Sequence, residues 1–311
     1  MEDHIVRETA AKGTVRAFAA STKTLVQKAH IIHGTSGVVS AALGRTLTAA
    51  AMMSRMFKNE RDVLTVQIKG DGPVGGIVVV SDYQSNVRGY VSNPAVSLPL
   101  TKAEKFDVAG AVGRNGYLNV IKDMGLKEPY LGYVNLVSGE IGEDIAYYFA
   151  YSEQVPTVVS LGVLVGPDGN VAAAGGYMLQ LMPGAEESLI EHLEKKVRTA
   201  DSVTAMLSEG MPPSGILNGL LGEKGLEMID KVPCGYLCNC SRDRMERNLV
   251  SLGAGELTDM ADEQHGAELQ CHFCNKKYYF TEEELRSLAP NKPKCPNKKD
   301  QGRFRSKRTE C

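Results

Sequence analysis

CNCSRDRMERNLVSLGAGELTDMADEQHGAELQCHFC, residues 238–274, holds a C-x-C pair, Cys238 and Cys240, and a C-x-x-C pair, Cys271 and Cys274, thirty residues apart. Each short knuckle presents two sulfurs to one ion, and four thiolates close a tetrahedral zinc site. All seven cysteines lie at or after Cys234, so most of the chain contains none. That distribution fits a reducing compartment, and metal ligation before a disulfide framework. Heme attachment is excluded, because Asn275 and not histidine follows Cys274. His272 lies between two ligands and could replace one of them, but four cysteines already fill a structural site, so it reads as a bystander.

The surroundings of the pairs add a physical point. From Val232 to Leu288 large apolar residues are few, among them Met245, Leu249, Leu257, Phe273, Tyr278, Phe280 and Leu285. A module of under about 60 residues is marginal on its own core, so a bound metal supplies a large share of its folding free energy. Oxidation removes the metal, since a sulfur committed to a disulfide no longer ligates as a thiolate. The site reads as a switch as well as a staple.

The chain has 311 residues, 43% of them hydrophobic, enough for a substantial core and a smaller appended unit. Its formal charge of −2 is unevenly spread. Residues 291–311 hold eight Lys/Arg against Asp300 and Glu310, a local +6, which leaves −8 on residues 1–290. An acidic main body argues against a nucleic-acid groove. Residues 1–20 mix charges and lack the apolar run of a signal peptide. The segment Gly37–Met56 is interrupted by Arg45 and Arg55 and reads as a buried helix, not a membrane span. The expected compartment is the cytoplasm.

Upstream of the cysteines, residues 14–20 read as a first strand, and Thr35-Ser36 as an N-cap ahead of a long small-residue helix to about Met56. His30 and His33 flank that start without an acidic or cysteine partner, so they read as ordinary packing histidines. In Val63–Lys69, Leu64, Val66 and Ile68 alternate with polar residues, a half-buried strand. The glycines of 70–75 match a dinucleotide-loop pattern, but a strand (77–80) follows where a helix should stand, so they read as a hairpin turn. With no Gly-Lys dipeptide, a Walker-type phosphate loop is excluded.

Strands are expected at 86–91, 117–122 and 130–137, a helix at 140–151, and a last hairpin from 158–165 and 171–182 about the turn 166–170. Hairpins with short turns and few helices between them indicate an α+β domain, a mainly antiparallel sheet with packed helices. From Ala185 to Leu207 the period becomes helical, with Leu189, Leu193, Val197 and Met206/Leu207 on one face. A second short helix runs from Pro213 through Leu221. Both pack on the core at rest, and their Leu- and Met-bearing stripe becomes client-binding surface if the module they lean on unfolds. Inside the cysteine module, Ser241 caps a helix to about Leu252 that Gly253 ends, residues 270–280 form a knuckle hairpin, and Thr281 to Glu284 is a capping box.

The expected organisation is an α+β core (1–182), a helical linker (183–231), a zinc-binding redox-switch module (232–290) and a basic tail (291–311). The tail, with Phe304 as its one large apolar residue, reads as flexible chain or as residues appended for expression. Cys295 and Cys311 read as exposed thiols there, and Cys234 as an extra thiol able to compete with the first pair.

On Cys238-Asn239-Cys240-Ser241-Arg242 and Cys271-His272-Phe273-Cys274, the chain resembles the bacterial family of 33 kDa redox-regulated heat-shock chaperones (chaperonins). Ser152-Glu153-Gln154 and Gly175-Gly176-Tyr177-Met178-Leu179-Gln180 support the resemblance, which covers nearly all of residues 1–290. It implies an ATP-independent holdase whose four matching cysteines bind one zinc when reduced and are its redox-active thiols. It also implies that disulfide formation releases the zinc and unfolds the module and linker. The activated form then dimerises and binds unfolding client proteins.

Two other classes compete with this one. A constitutive zinc-ribbon nucleic-acid binder would use Arg242, Arg244, Arg247, Lys276 and Lys277, a patch diluted by Glu246, Glu256, Asp259, Asp262, Glu263 and residues 282–284. A thiol-disulfide oxidoreductase needs its C-x-x-C to open a helix in a βαβ unit, which residues 270–280 do not offer. No nucleophile elbow or catalytic constellation stands in the main body, so the chain reads as a non-enzyme without a membrane partner.

Overall fold

The apolar run after Thr35 becomes a helix buried on almost every side, and the two large sheets of the protein are laid against it. The structure is a computed structural model and describes residues 2–289. Cys295, Cys311 and the expected tail 291–311 lie outside the described residues.

In chain order the elements begin with β1 (His4–Ala10), β2 (Val15–Ser21), α1 (Lys23–His33), α2 (Gly37–Ser54), β3 (Val63–Lys69), β4 (Ile77–Asp82) and β5 (Asn86–Val91). They continue with α3 (Val108–Val112), β6 (Tyr117–Asp123), β7 (Tyr130–Asn135), α4 (Gly142–Tyr151), β8 (Thr157–Val165) and β9 (Val171–Leu181). Then come α5 (Glu187–Thr199), α6 (Val203–Ser208), α7 (Pro213–Leu221), β10 (Glu227–Pro233) and β11 (Gly235–Tyr236). The last are α8 (Arg242–Val250), α9 (Ala254–Gln264), β12 (Gly266–Gln270), β13 (Lys277–Thr281) and α10 (Glu282–Leu288).

One sheet has the order β10-β1-β2-β9-β8 and a second the order β11-β5-β4-β3-β6-β7; the pair β12-β13 stands apart. All pairings are antiparallel except the two-residue parallel join of β11 to β5. The expected α+β class with a mainly antiparallel core is therefore what the chain forms.

Two clusters build the first large unit. α2 packs against β4 and β5 of one sheet and β8 and β9 of the other. Its Ala, Gly and Thr content permits this close approach: a Cβ at Gly44 would stand 2.6 Å from Val26 and 2.8 Å from Val163. A helix apolar on all faces is a buried helix. Ser36 caps it as expected, accepting from Val39 N. The second cluster covers the outer face of the five-stranded sheet, where Val6, Ala17, Ala19 and Leu179 meet Leu189 and Leu193 of α5, Met206 of α6 and Leu217 of α7.

Three expectations change. Residues 15–21 are the second strand, because β1 precedes them; its charged Arg7 and Glu8 hide the alternation, and Arg7 is drawn to Asp230 at 3.5 Å. The helix expected over 185–207 is two, because the backbone turns extended at Ala200 and Ser202 caps a new start by accepting from Ala205 N. Gly253 is both the stop after α8 and, at φ 92°, the N-cap of α9, a helix the glycine pair 253/255 obscures in the sequence.

By contacts the chain divides into one unit of residues 1–238 with 272–275 and a second of 239–271 with the chain from 276 onward. Helices α5–α7 and β10, expected as linker and module, thus count with the first unit.

Candidate metal centre

The cysteine pairs are placed by ordinary backbone devices. β11 joins β5 with Tyr236 opposite Val87, and Leu237 N donates to Val87 O (3.0 Å), which sets Cys238 at the end of a strand. Ser241, next after Cys240, caps α8 by accepting from Arg244 N. Across the second pair, Gln270 stands opposite Lys277 on β12-β13, and Cys271 N donates to Lys276 O at 2.9 Å. Asn275 takes φ 58°, a left-handed turn that asparagine tolerates better than most residues. Thr281 and Glu284 form the expected reciprocal capping box at the start of α10.

These devices bring the sulfurs of Cys238, Cys240, Cys271 and Cys274 within 4.8 Å of one another. An ion about 2.3 Å from each of four sulfurs needs them roughly 3.8 Å apart, so a contraction of about an ångström at most closes the set. Cys271 is buried and the other three are half-buried. The Tyr278 hydroxyl donates to the Cys240 sulfur at 3.1 Å, the kind of hydrogen bond that stabilises a thiolate ligand.

Cys234 stands outside this group. Its thiol points to the Ser21 carbonyl at 3.8 Å, and burial, with the Asp3 carboxylate adding, pushes its pKa well above the usual thiol range. It is held as a neutral, unreactive thiol. His272 is also outside the set, with its ring 5.5 Å from that of Tyr90.

Residues that sequence reasoning passed over hold the stretch 272–275 within the first unit. Tyr236, buried, donates to Gly89 O (2.8 Å), receives from Gly89 N (3.3 Å), lies 3.1 Å from His33 Nε2, and also reaches the Phe273 carbonyl. Asn275 Nδ2 donates to Ile32 O at the end of α1, 2.6 Å away. The Phe273 ring lies under the Arg88 guanidinium and edge-on to Tyr90. The only sequence signal for Tyr236 was its place two residues before Cys238.

The basic residues of the second unit are partly committed. Arg242 pairs with Glu284 (2.6 Å) and Glu246 and lies over the Phe280 ring, while Lys277 pairs with Glu268 at 2.8 Å. Such pairing leaves a weak field for phosphate.

Fold and site together define a protein with a large α+β unit, a small module and a cluster of four cysteine sulfurs that could hold a metal ion. The Hsp33 protein family model matches residues 3–281. The 33 kDa chaperonin of Acetivibrio thermocellus is 59% identical over 288 residues, 93% of this chain and 97% of that one. That of Ruminiclostridium cellulolyticum is 56% identical, covering 93% and 98%. The crystal structure of the 33 kDa chaperonin of Thermotoga maritima superposes with TM-score 0.85 at 38% identity, over 93% of this chain and 98% of that one. The chain belongs to the Hsp33 chaperone family. No helix among the described residues is long and apolar enough to cross a membrane.

Proposed function

We propose that this chain is a redox-gated, ATP-independent holdase, at rest when reduced and zinc-bound, and active toward unfolding proteins once oxidised. The observation that carries the reading is the convergence of four cysteine sulfurs within 4.8 Å, in a chain of a chaperone family. Cys238, Cys240, Cys271 and Cys274 would hold the ion, and an all-thiolate set suits zinc. When bound, zinc supplies folding free energy to the module, about 10–16 kcal/mol in comparable zinc-finger peptides.

The redox chemistry belongs to the sulfurs. Two thiolates give two electrons to one peroxide, a sulfur–sulfur bond forms as the oxygen–oxygen bond breaks, and with two protons the peroxide leaves as two waters. Sulfurs so committed no longer ligate, and the module of residues 232–290 loses its staple. The connecting helices of 183–231 follow, uncovering Leu189, Leu193, Met206 and Leu217 together with the sheet face under them. Apolar surface of this kind takes up unfolding clients and supports a homodimer of the oxidised chain. The chain acts in this reading by binding and not as an enzyme, without membrane or nucleic-acid partners, in the cytoplasm.

The test follows metal and client together. Reduced protein is treated with peroxide at raised temperature while a chromophoric chelator reports zinc and light scattering reports a denaturing client. One zinc should leave per chain, and scattering should be suppressed only after oxidation. Equal protection in both states contradicts the switch, and protection in neither contradicts the holdase.

A further inference from the structure

We infer that Tyr236 and His33, neither of them a ligand, are positioning residues that fix one cysteine of each pair, Cys238 and Cys274, beside β5 and thereby set how slowly the centre releases its ion. The inference rests on the four cysteines being a metal centre, and adds what holds them.

Tyr236 is 4% exposed and belongs to the larger apolar cluster, so its ring is fixed by packing. Its hydroxyl sits at a junction of four groups: Gly89 N, Gly89 O, the Phe273 carbonyl and His33 Nε2. A phenol has one proton to give and two lone pairs to fill. Gly89 N–H donates to the oxygen, the hydroxyl proton is offered to the two carbonyls, and His33 Nε2 stands 3.1 Å away. One carbonyl is on β5, and the other lies between Cys271 and Cys274. The burial of His33 lowers its pKa, which favours the neutral ring beside this junction.

Around this junction one cysteine of each pair is tied down from outside the ligand set. Cys238 follows Leu237, whose N–H is held by Val87 O. Cys274 is flanked by Phe273, beneath Arg88 and against Tyr90, and by Asn275, which closes the C-terminal turn of α1 at Ile32 O. Cys238 and Cys274 belong to the first unit, and Cys240 and Cys271 to the second. Two ligands are thus held by β5 and the end of α1, whose packing rests on the large apolar cluster. An ion leaving the other two is still within reach of a preformed pair, and recapture slows its loss.

The test uses reduced full-length chain loaded with cobalt, whose thiolate charge-transfer and d–d bands report the four-sulfur set. An excess of chelator is added and the decay followed for the parent, Tyr236→Phe, His33→Phe and Asn275→Ala, with Tyr148→Phe as a control for a buried tyrosine of the same unit. Loss of one net hydrogen bond corresponds to roughly five- to tenfold. Tyr236→Phe should release cobalt about tenfold faster, and His33→Phe and Asn275→Ala each about threefold faster, with band shapes unchanged. Tyr148→Phe should lower the melting temperature and leave release unchanged.

Release within twofold of the parent, in Asn275→Ala or in a folded Tyr236→Phe, overturns the inference. So does acceleration by Tyr148→Phe equal to that by Tyr236→Phe. The Asn275 side chain is exposed, so its variant decides the matter even where Tyr236→Phe does not fold. A parent chain without thiolate–cobalt bands would instead sink the metal-centre reading itself.

Discussion

Different physics stabilises the first unit and the second. Leu43, Leu47, Met52, Leu64, Ile77 and Leu118 are among the large side chains wholly buried in the first, and its strands pair over six and seven residues. The second buries Met245, Leu249, Leu257, Tyr278, Phe280 and Leu285 around one five-residue hairpin. None of these six belongs to either large apolar cluster. Surface ion pairs such as Arg286 with Asp262 and Glu282 add little. A core of that size is marginal without a metal. In the proposed reading the first unit is stable through burial and the second through ligation, so a chemical change at sulfur unfolds the second and spares the core around α2 of the first.

Cys271→Ser, which removes the buried ligand, puts this contrast under the greatest strain. We expect metal content to fall from one ion per chain to almost none, and the circular-dichroism signal of the small helices to be lost while the main thermal transition stays. Asp144→Ala should do the reverse. That carboxylate is wholly buried and accepts from the backbone N–H groups of Val137, Ser138, Gly139 and Ile141. Its loss should cost the first unit about 3 kcal/mol in denaturant unfolding, with metal content unchanged. Thr281→Ala removes the cap of α10 and should cost the second unit about 1 kcal/mol, visible as easier metal stripping by chelator. Cys234→Ser should leave metal stoichiometry unchanged, and in the parent this thiol should alkylate most slowly at mildly alkaline pH, because burial holds it protonated.

Legibility in the sequence followed the same divide. Strict alternation placed β3 at its observed bounds, and Ser36, Ser241 and Thr281 were readable as caps because capping is local chemistry. The four cysteines were readable from spacing alone. What escaped depended on distant partners. The charge of Arg7 on β1 is met by Asp230, on a strand more than two hundred residues away. Tyr236 matters through Gly89 and Phe273, and His33 through Tyr236, none of them sequence neighbours. The break between α5 and α6 was local but lay within an unbroken apolar stripe.

Hydrogen exchange on the reduced protein, before and after a chelator strips the metal, asks straightforwardly whether ligation is what keeps the small unit folded. Amides of β12, β13 and α8–α10 should lose their protection while those of α2, β2 and β3 keep theirs. Retained protection in the small unit after complete metal removal would contradict that dependence.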